Sequence, residues 1–289
     1  MSRKVALVKL AVRLVVLAGL IYAAVLVLAW RFQDRLAFPA PSGAVPEPAD
    51  FGLPDGSIVS VTTADGIELL GWYLPPTGDV RARAPGLIWF HGNMETVGSI
   101  APVLADFRPD GVGVLALDYR GYGESGGTPT EEGVYLDAEA AWSWLTDRAE
   151  IDPTRIAVYG RSIGSAIALY LATERPVRAV ILESPFTSGW EIAREHYALI
   201  PEGLVELGLD NLERARRLSA PLLVIHGTED LIAPFAMGQA VAEAGRAEHL
   251  LVLEGAGHTS TYEEGGERYR SAVHDFLRRH LGGAAAAPD

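Results

Sequence analysis

A serine stands between two glycines at Gly160-Arg161-Ser162-Ile163-Gly164. A serine hydroxyl attacks a carbonyl well only when a neighbouring base takes its proton. Histidine is the usual base, and a carboxylate on the far ring nitrogen then holds the imidazole in the accepting tautomer. The G-x-S-x-G pattern is weak alone: with 31 glycines in 289 residues, chance order gives roughly 0.16 matches per chain. A second match is in fact present, Gly123-Glu124-Ser125-Gly126-Gly127. Context separates the two. The β-branched run 156–159 leads straight into Gly160, and Ala166-Ile167-Ala168-Leu169-Tyr170-Leu171 follows as a helix pattern. Ser162 therefore sits on a strand-to-helix turn whose helix N-terminus favours negative charge. Ser125 is followed by Thr128-Pro129 and reads as a loop serine. The bland reading of Ser162, a helix cap, is outweighed by what lies downstream.

Seven histidines compete for the role of base. His258, in Gly255-Ala256-Gly257-His258, lies directly after the last strand pattern and before the last helix pattern. That places it at the carboxyl end of a strand, where open parallel sheets bind ligands. His91 and His226 also end strand patterns and read as turn or packing histidines; His196, His249, His274 and His280 have ordinary surface readings. Asp230, in His226-Gly227-Thr228-Glu229-Asp230, is the matching acid. Glu229 beside it, and Asp118 and Glu183 at other strand ends, are rival acids, and a turn-capping Asp230 is the bland alternative. The developing oxyanion needs two backbone N–H donors, one from Ile163 and the other from Asn93 or Met94 in His91-Gly92-Asn93-Met94.

These residues need a scaffold. Segments 57–63 and 67–74 alternate around Asp65-Gly66, a hairpin signal. Apolar runs at 86–90, 112–117, 156–159, 177–182, 222–225 and 250–253 read as buried parallel strands. Helix patterns lie at 131–146, 162–173, 235–244 and 263–281. An opening hairpin followed by βα units predicts an α/β fold: a mostly parallel sheet with helices on both faces. Segment 184–219 exceeds an ordinary connection and predicts a small cap over the site. Its apolar residues Phe186, Trp190, Ile192, Leu199, Ile200, Leu204 and Leu207 suit a lipid-derived substrate, or equally the packing of the cap onto the sheet. Segment 282–289 reads as a flexible tail.

The composition narrows the field. The net charge of −13 disfavours a nucleic-acid partner, which needs clustered Lys and Arg. The absence of cysteine excludes thiolate metal sites, a Cys nucleophile and Cys-linked lipids. No charge interrupts Leu14 to Trp30, and Lys9 and Arg13 can snorkel if the run extends back to Val5. Arg3, Lys4, Lys9 and Arg13 precede the run, so the N-terminus is expected in the cytoplasm and the rest across the membrane. A cleaved signal peptide is disfavoured by Ala29-Trp30-Arg31-Phe32, a poor cleavage site. A core helix would rarely open with four basic residues. The expected organisation is an anchor over 1–31, a proline-rich linker over 32–56 and a catalytic domain over 57–281.

The chain resembles the α/β-hydrolase superfamily and, within it, the bem46-like group of single-pass membrane hydrolases. The resemblance rests on Asp34-Arg35-Leu36, His91-Gly92-Asn93, Asp118-Tyr119-Arg120-Gly121-Tyr122-Gly123, the segment around Ser162, Glu183-Ser184-Pro185-Phe186-Thr187-Ser188, the segment around Asp230 and Gly257-His258. It covers nearly everything from 32 to 281. It implies hydrolysis of an ester, thioester or similar acyl bond without metal or cofactor. Related animal depalmitoylases carry a Cys-rich lipidated N-terminus that this chain lacks. A serine at 162 in place of Asp argues against an epoxide hydrolase or dehalogenase. A catalytically silent binding module on the same fold and a peptidase are the alternatives.

Overall fold

The computed structural model describes residues 3–77, 83–107 and 111–282. The expected flexible tail beyond 282 lies outside the described residues. Strands β1 (Ser57–Thr62) and β2 (Glu68–Leu74) form the expected hairpin. Its turn closes with the Thr63 N–H donating to the Ile67 carbonyl at 2.9 Å. Gly66 takes φ of 83° there, a conformation that glycine adopts without steric cost. The remaining strands are β3 (Ala84–Phe90), β4 (Gly113–Leu117), β5 (Ile151–Arg161), β6 (Ala179–Glu183), β7 (Leu222–Gly227) and β8 (His249–Leu253). They join one sheet in the order β1-β2-β4-β3-β5-β6-β7-β8. β1 and β2, and β2 and β4, pair antiparallel; the rest of the sheet is parallel.

Alternate residues of each strand face opposite sides of a sheet, and here both sides are dry. Ile88, Leu115, Val158, Leu182 and Val224 face one core, covered by α4 (Glu131–Thr146), α5 (Ile163–Glu174), α7 (Asn211–Arg217) and α8 (Phe235–Ala244). Leu87, Trp89, Ala157, Ile181 and Leu223 face the other, covered by α3 (Ala101–Phe107) and α9 (Thr261–Leu281). Each large apolar side chain so buried contributes roughly 1.5–3 kcal/mol. Burial on both faces explains why these strands read as continuous apolar runs. Helix α3 left no readable pattern, because seven residues give too few turns to show a period.

Helix α1 (Arg3–Arg31) precedes the domain, followed by α2 (Gln33–Ala37). Over Leu7–Arg31 the mean hydropathy is 2.5, and this span is long and apolar enough to cross a membrane. The proline-rich stretch after α2 lies on the domain. Phe38, Val45 and Leu53 are buried. The Gly123 N–H donates to the Pro41 carbonyl at 2.8 Å, and the Trp72 indole N–H to the Pro46 carbonyl at 2.8 Å. Within 184–219, α6 (Gly189–His196) and a 3-10 turn (Glu202–Leu204) rise over the carboxyl end of the sheet, while α7 packs back onto α5 and α8.

Candidate active site

Ser162 joins β5 to α5 with φ 52° and ψ −118°, a conformation uncommon for a residue with a Cβ. Its neighbours show why the turn needs glycine. A Cβ on Gly160 would lie 2.3 Å from the Gly164 carbonyl oxygen, and one on Gly164 would lie 2.2 Å from the Phe90 carbonyl oxygen. The Ser162 N–H donates to the Glu183 carbonyl at 2.9 Å, and the Ser165 hydroxyl to the Ser162 carbonyl at 2.6 Å. The backbone of the turn is thus held from two sides.

Two further loops leave the carboxyl ends of β7 and β8 and meet the serine. His258 Nε2 lies 2.9 Å from Ser162 Oγ, and His258 Nδ1 lies 2.7 Å from Asp230 Oδ2. Asp230 Oδ1 accepts the N–H groups of Ile232 at 2.9 Å and Ala233 at 2.8 Å. Burial disfavours the Asp230 carboxylate. The hydrogen bonds from His226 and His258, the adjacent His258 and the Ala233 N–H outweigh it and hold the carboxyl well below the usual range. The two loops are tied together by the Glu229 N–H, which donates to the Ala256 carbonyl at 3.0 Å.

The rival acids are engaged elsewhere. The Glu229 side chain is exposed. Asp118 accepts the Val97 N–H at 2.7 Å and lies 3.5 Å from His91 Nε2. Glu183 accepts the hydroxyls of Thr261, Tyr159 and Tyr269. Ser125 is a buried pin: its hydroxyl donates to the Asp118 carbonyl at 2.8 Å and accepts the Leu70 N–H at 2.9 Å. Of the two loop residues considered as oxyanion donors, Asn93 lines the same cavity as Ser162 and Ile163, whereas Met94 does not and is 67% exposed. The Asn93 side chain fixes its own loop, donating to the Ala37 carbonyl at 2.5 Å and accepting the Tyr122 hydroxyl at 2.8 Å.

Two residues around this centre were given no role at the site by the sequence. Arg161, the variable residue before the serine, reaches the Glu95 carboxylate, Glu183 Oε1 at 3.4 Å and the His258 carbonyl at 3.4 Å. Burial disfavours its charge, but Glu183 and Glu95 raise its pKa above the ordinary value. Glu95 in turn accepts the Gly92 N–H at 2.6 Å. One guanidinium therefore ties the loop of Gly92 and Asn93 to the loop of His258. His226, read as a packing residue, touches the acid itself. Its Nε2 lies 2.8 Å from the Ala233 carbonyl and 3.3 Å from Asp230 Oδ2, so both neighbours are acceptors and Nε2 carries the proton. The spacing of four residues between His226 and Asp230 was the available signal.

Above the serine is a cavity of about 260 Å³. Phe186, Ile192, Leu204, Leu207 and Ile232 form its apolar walls, and Trp30, Gln33 and Leu36 close one side. Among the described residues, no group of three or more His, Asp or Glu side chains is placed to hold a metal.

An eight-stranded, mostly parallel sheet with a serine on a strained turn after its central strand defines an α/β hydrolase, and the comparisons agree. Residues 83–200 match the family model described as serine aminopeptidase, S33. Uncharacterized protein Rv2307c of Mycobacterium tuberculosis is 37% identical over 271 residues, spanning 92% of this chain and 95% of that one. Human alpha/beta hydrolase domain-containing protein 17B is 34% identical over 200 residues, 68% of this chain and 67% of its own. The solved Pyrococcus furiosus esterase Pf2001 superposes with a TM-score of 0.68 at 26% identity, covering 84% of this chain and 97% of that chain. The chain belongs to the α/β-hydrolase family.

Proposed function

We propose that the protein is a membrane-anchored serine hydrolase that cleaves an ester or thioester through an acyl-enzyme on Ser162. The reading rests on one observation, the unbroken line from Ser162 Oγ through His258 at 2.9 Å to Asp230 at 2.7 Å. His258 Nε2 takes the Ser162 proton as Oγ attacks the carbonyl, and Asp230 stabilises the imidazolium so formed. The N–H groups of Ile163 and Asn93 receive the oxyanion. The intermediate collapses with cleavage of the bond to the leaving oxygen or sulfur, which His258 protonates. Water then adds to the acyl-enzyme with His258 as base, and the acid and free Ser162 are regenerated.

The family model's description raises an aminopeptidase as the second reading. Such an enzyme must hold a substrate ammonium group, for which a carboxylate is the natural partner. No Asp or Glu is among the described residues that line the cavity, and most of its walls are apolar. That favours an acyl substrate without a charged head near the serine. The anchor reading is supported by the uncharged run from Leu14 to Trp30 within α1, and the basic residues that precede this run favour a cytoplasmic N-terminus.

The test is hydrolysis of p-nitrophenyl butyrate together with fluorophosphonate labelling. Ser162→Ala should lose about 10⁶-fold in kcat and all labelling. A Ser162→Ala enzyme as fast as the parent would refute the assignment. Alkaline carbonate should leave the protein in the membrane pellet, and its release into the supernatant would remove the anchor from the reading.

A further inference from the structure

The cap does not merely cover the serine; it reaches down the side of α1. The Tyr22 hydroxyl donates to the Leu199 carbonyl at 2.6 Å, and the Trp30 indole N–H donates to Glu206 Oε1 at 3.0 Å. Gln33 Oε1 accepts the Glu206 N–H at 2.8 Å. Tyr22 lies eight residues before Trp30, so the Leu199 contact sits roughly 12 Å further along the helix axis than the Trp30 contact. Both contacts fall inside the apolar span Leu7–Arg31. The loop around Leu199 thus runs alongside the part of α1 that the proposed function places in the bilayer.

The composition of this loop suits that depth. Segment 197–201 reads Tyr-Ala-Leu-Ile-Pro, without a charge. Leu199 is 79% exposed, and Leu231, next in the chain to the cavity-lining Ile232, is 85% exposed. Exposed apolar side chains gathered on one side of a molecule mark a surface that is covered, and here the same side carries the apolar length of α1. Ile200 of this loop and Trp30 of α1 both line the cavity above Ser162.

We propose that the 197–201 loop dips into the membrane beside α1, and that the acyl chain of a bilayer lipid passes between this loop and Trp30 to reach Ser162. This rests on the serine-hydrolase and anchor readings above and specifies the substrate as a membrane-resident acyl ester or thioester. The acyl chain then never crosses water, and the cleaved bond is presented where α1 leaves the bilayer.

The chain contains no cysteine, so a single introduced thiol can carry an environment-sensitive fluorophore. Full-length Leu199→Cys and Thr154→Cys, the latter exposed at the opposite end of the sheet, are labelled with a nitrobenzoxadiazole dye. Each is reconstituted in phosphatidylcholine vesicles containing chain-brominated lipid. The dye at 199 should be blue-shifted and quenched by the bromines, and the dye at 154 should be neither. Equal, water-like emission at both positions overturns the proposal. In a second measurement, Leu199→Asp should lower hydrolysis of a palmitoyl ester carried in the vesicles by about ten-fold relative to p-nitrophenyl acetate in solution. An unchanged ratio overturns the proposal. If the parent cleaves neither ester in a Ser162-dependent way, the hydrolase reading itself fails, and the fluorescence still reports the position of the loop.

Discussion

His226 Nε2 lies 3.3 Å from Asp230 Oδ2, the oxygen that His258 Nδ1 meets at 2.7 Å. The acid is therefore held between two imidazoles and two backbone N–H groups, which fixes its orientation and favours its charge. Asp230→Asn keeps the shape but lets the side chain donate, which favours the wrong tautomer of His258. Its kcat should fall by about 10⁴-fold, the loss expected when the acid of such a triad is neutralised. Steady-state kinetics on a soluble ester checks this.

The same carboxylate should leave a mark on acid stability. Its folded pKa is depressed, so its contribution is complete above the unfolded value of about 3.9 and is lost as pH falls through the folded one. The Tm advantage of the parent over Asp230→Asn should shrink as the pH falls below about 4. Thermal melts across that range test the sign. A gap that widens on acidification would contradict it.

Arg161 ties the Glu95 loop to the His258 loop, so it should act on the reaction through position rather than contact. Arg161→Lys keeps the charge but loses the fork that spans three acceptors. We expect kcat to fall by about 10²-fold, the scale of a misplacement near 1 Å, with KM little changed. Arg161→Met leaves Glu183 and Glu95 without their cation and should cost about 3–5 kcal/mol of stability. Denaturant titration separates that loss from the kinetic one.

Gly164→Ala places a Cβ against the Phe90 carbonyl, a backbone atom at the end of β3. Relief requires moving the end of the strand that leads into the loop of His91, Gly92 and Asn93. The variant should lose at least about 1–3 kcal/mol and label poorly with a fluorophosphonate. Normal labelling at parental stability would contradict the packing described.

Ser125 lies in the other G-x-S-x-G match. Ser125→Ala leaves the half-buried Leu70 N–H without its acceptor and should cost about 1 kcal/mol. Fluorophosphonate labelling of the folded variant should match the parent. The two serines thus separate by experiment into one that pins the hairpin and one that reacts.

The strand into Gly160, the helix pattern after Ser162, the hairpin glycine at 66 and the uncharged run before Trp30 were all legible from residue order. Each is written in neighbours along the chain: apolar period, a glycine where backbones meet, and charge at the ends of an apolar stretch. The candidates Ser162, Asp230 and His258 were read from their places at the carboxyl ends of strand patterns, and the structure brings their side chains within hydrogen-bond distance. Folding alone decided the rest. Arg161 lies 66 residues from Glu95, Ser125 lies 55 from Leu70, and Trp30 lies 176 from Glu206. None of these pairs shares a local pattern, because hydrogen bonds between distant loops impose no spacing on the sequence. Asn93 and Met94 were equivalent in the sequence for the same reason, and only packing against Ala37 and Tyr122 distinguishes their surroundings. The proline-rich stretch could be read as non-helical, since proline fixes its own backbone. That it lies on the sheet domain instead of spanning free space follows from contacts such as Trp72 with Pro46, which form only once the chain has folded.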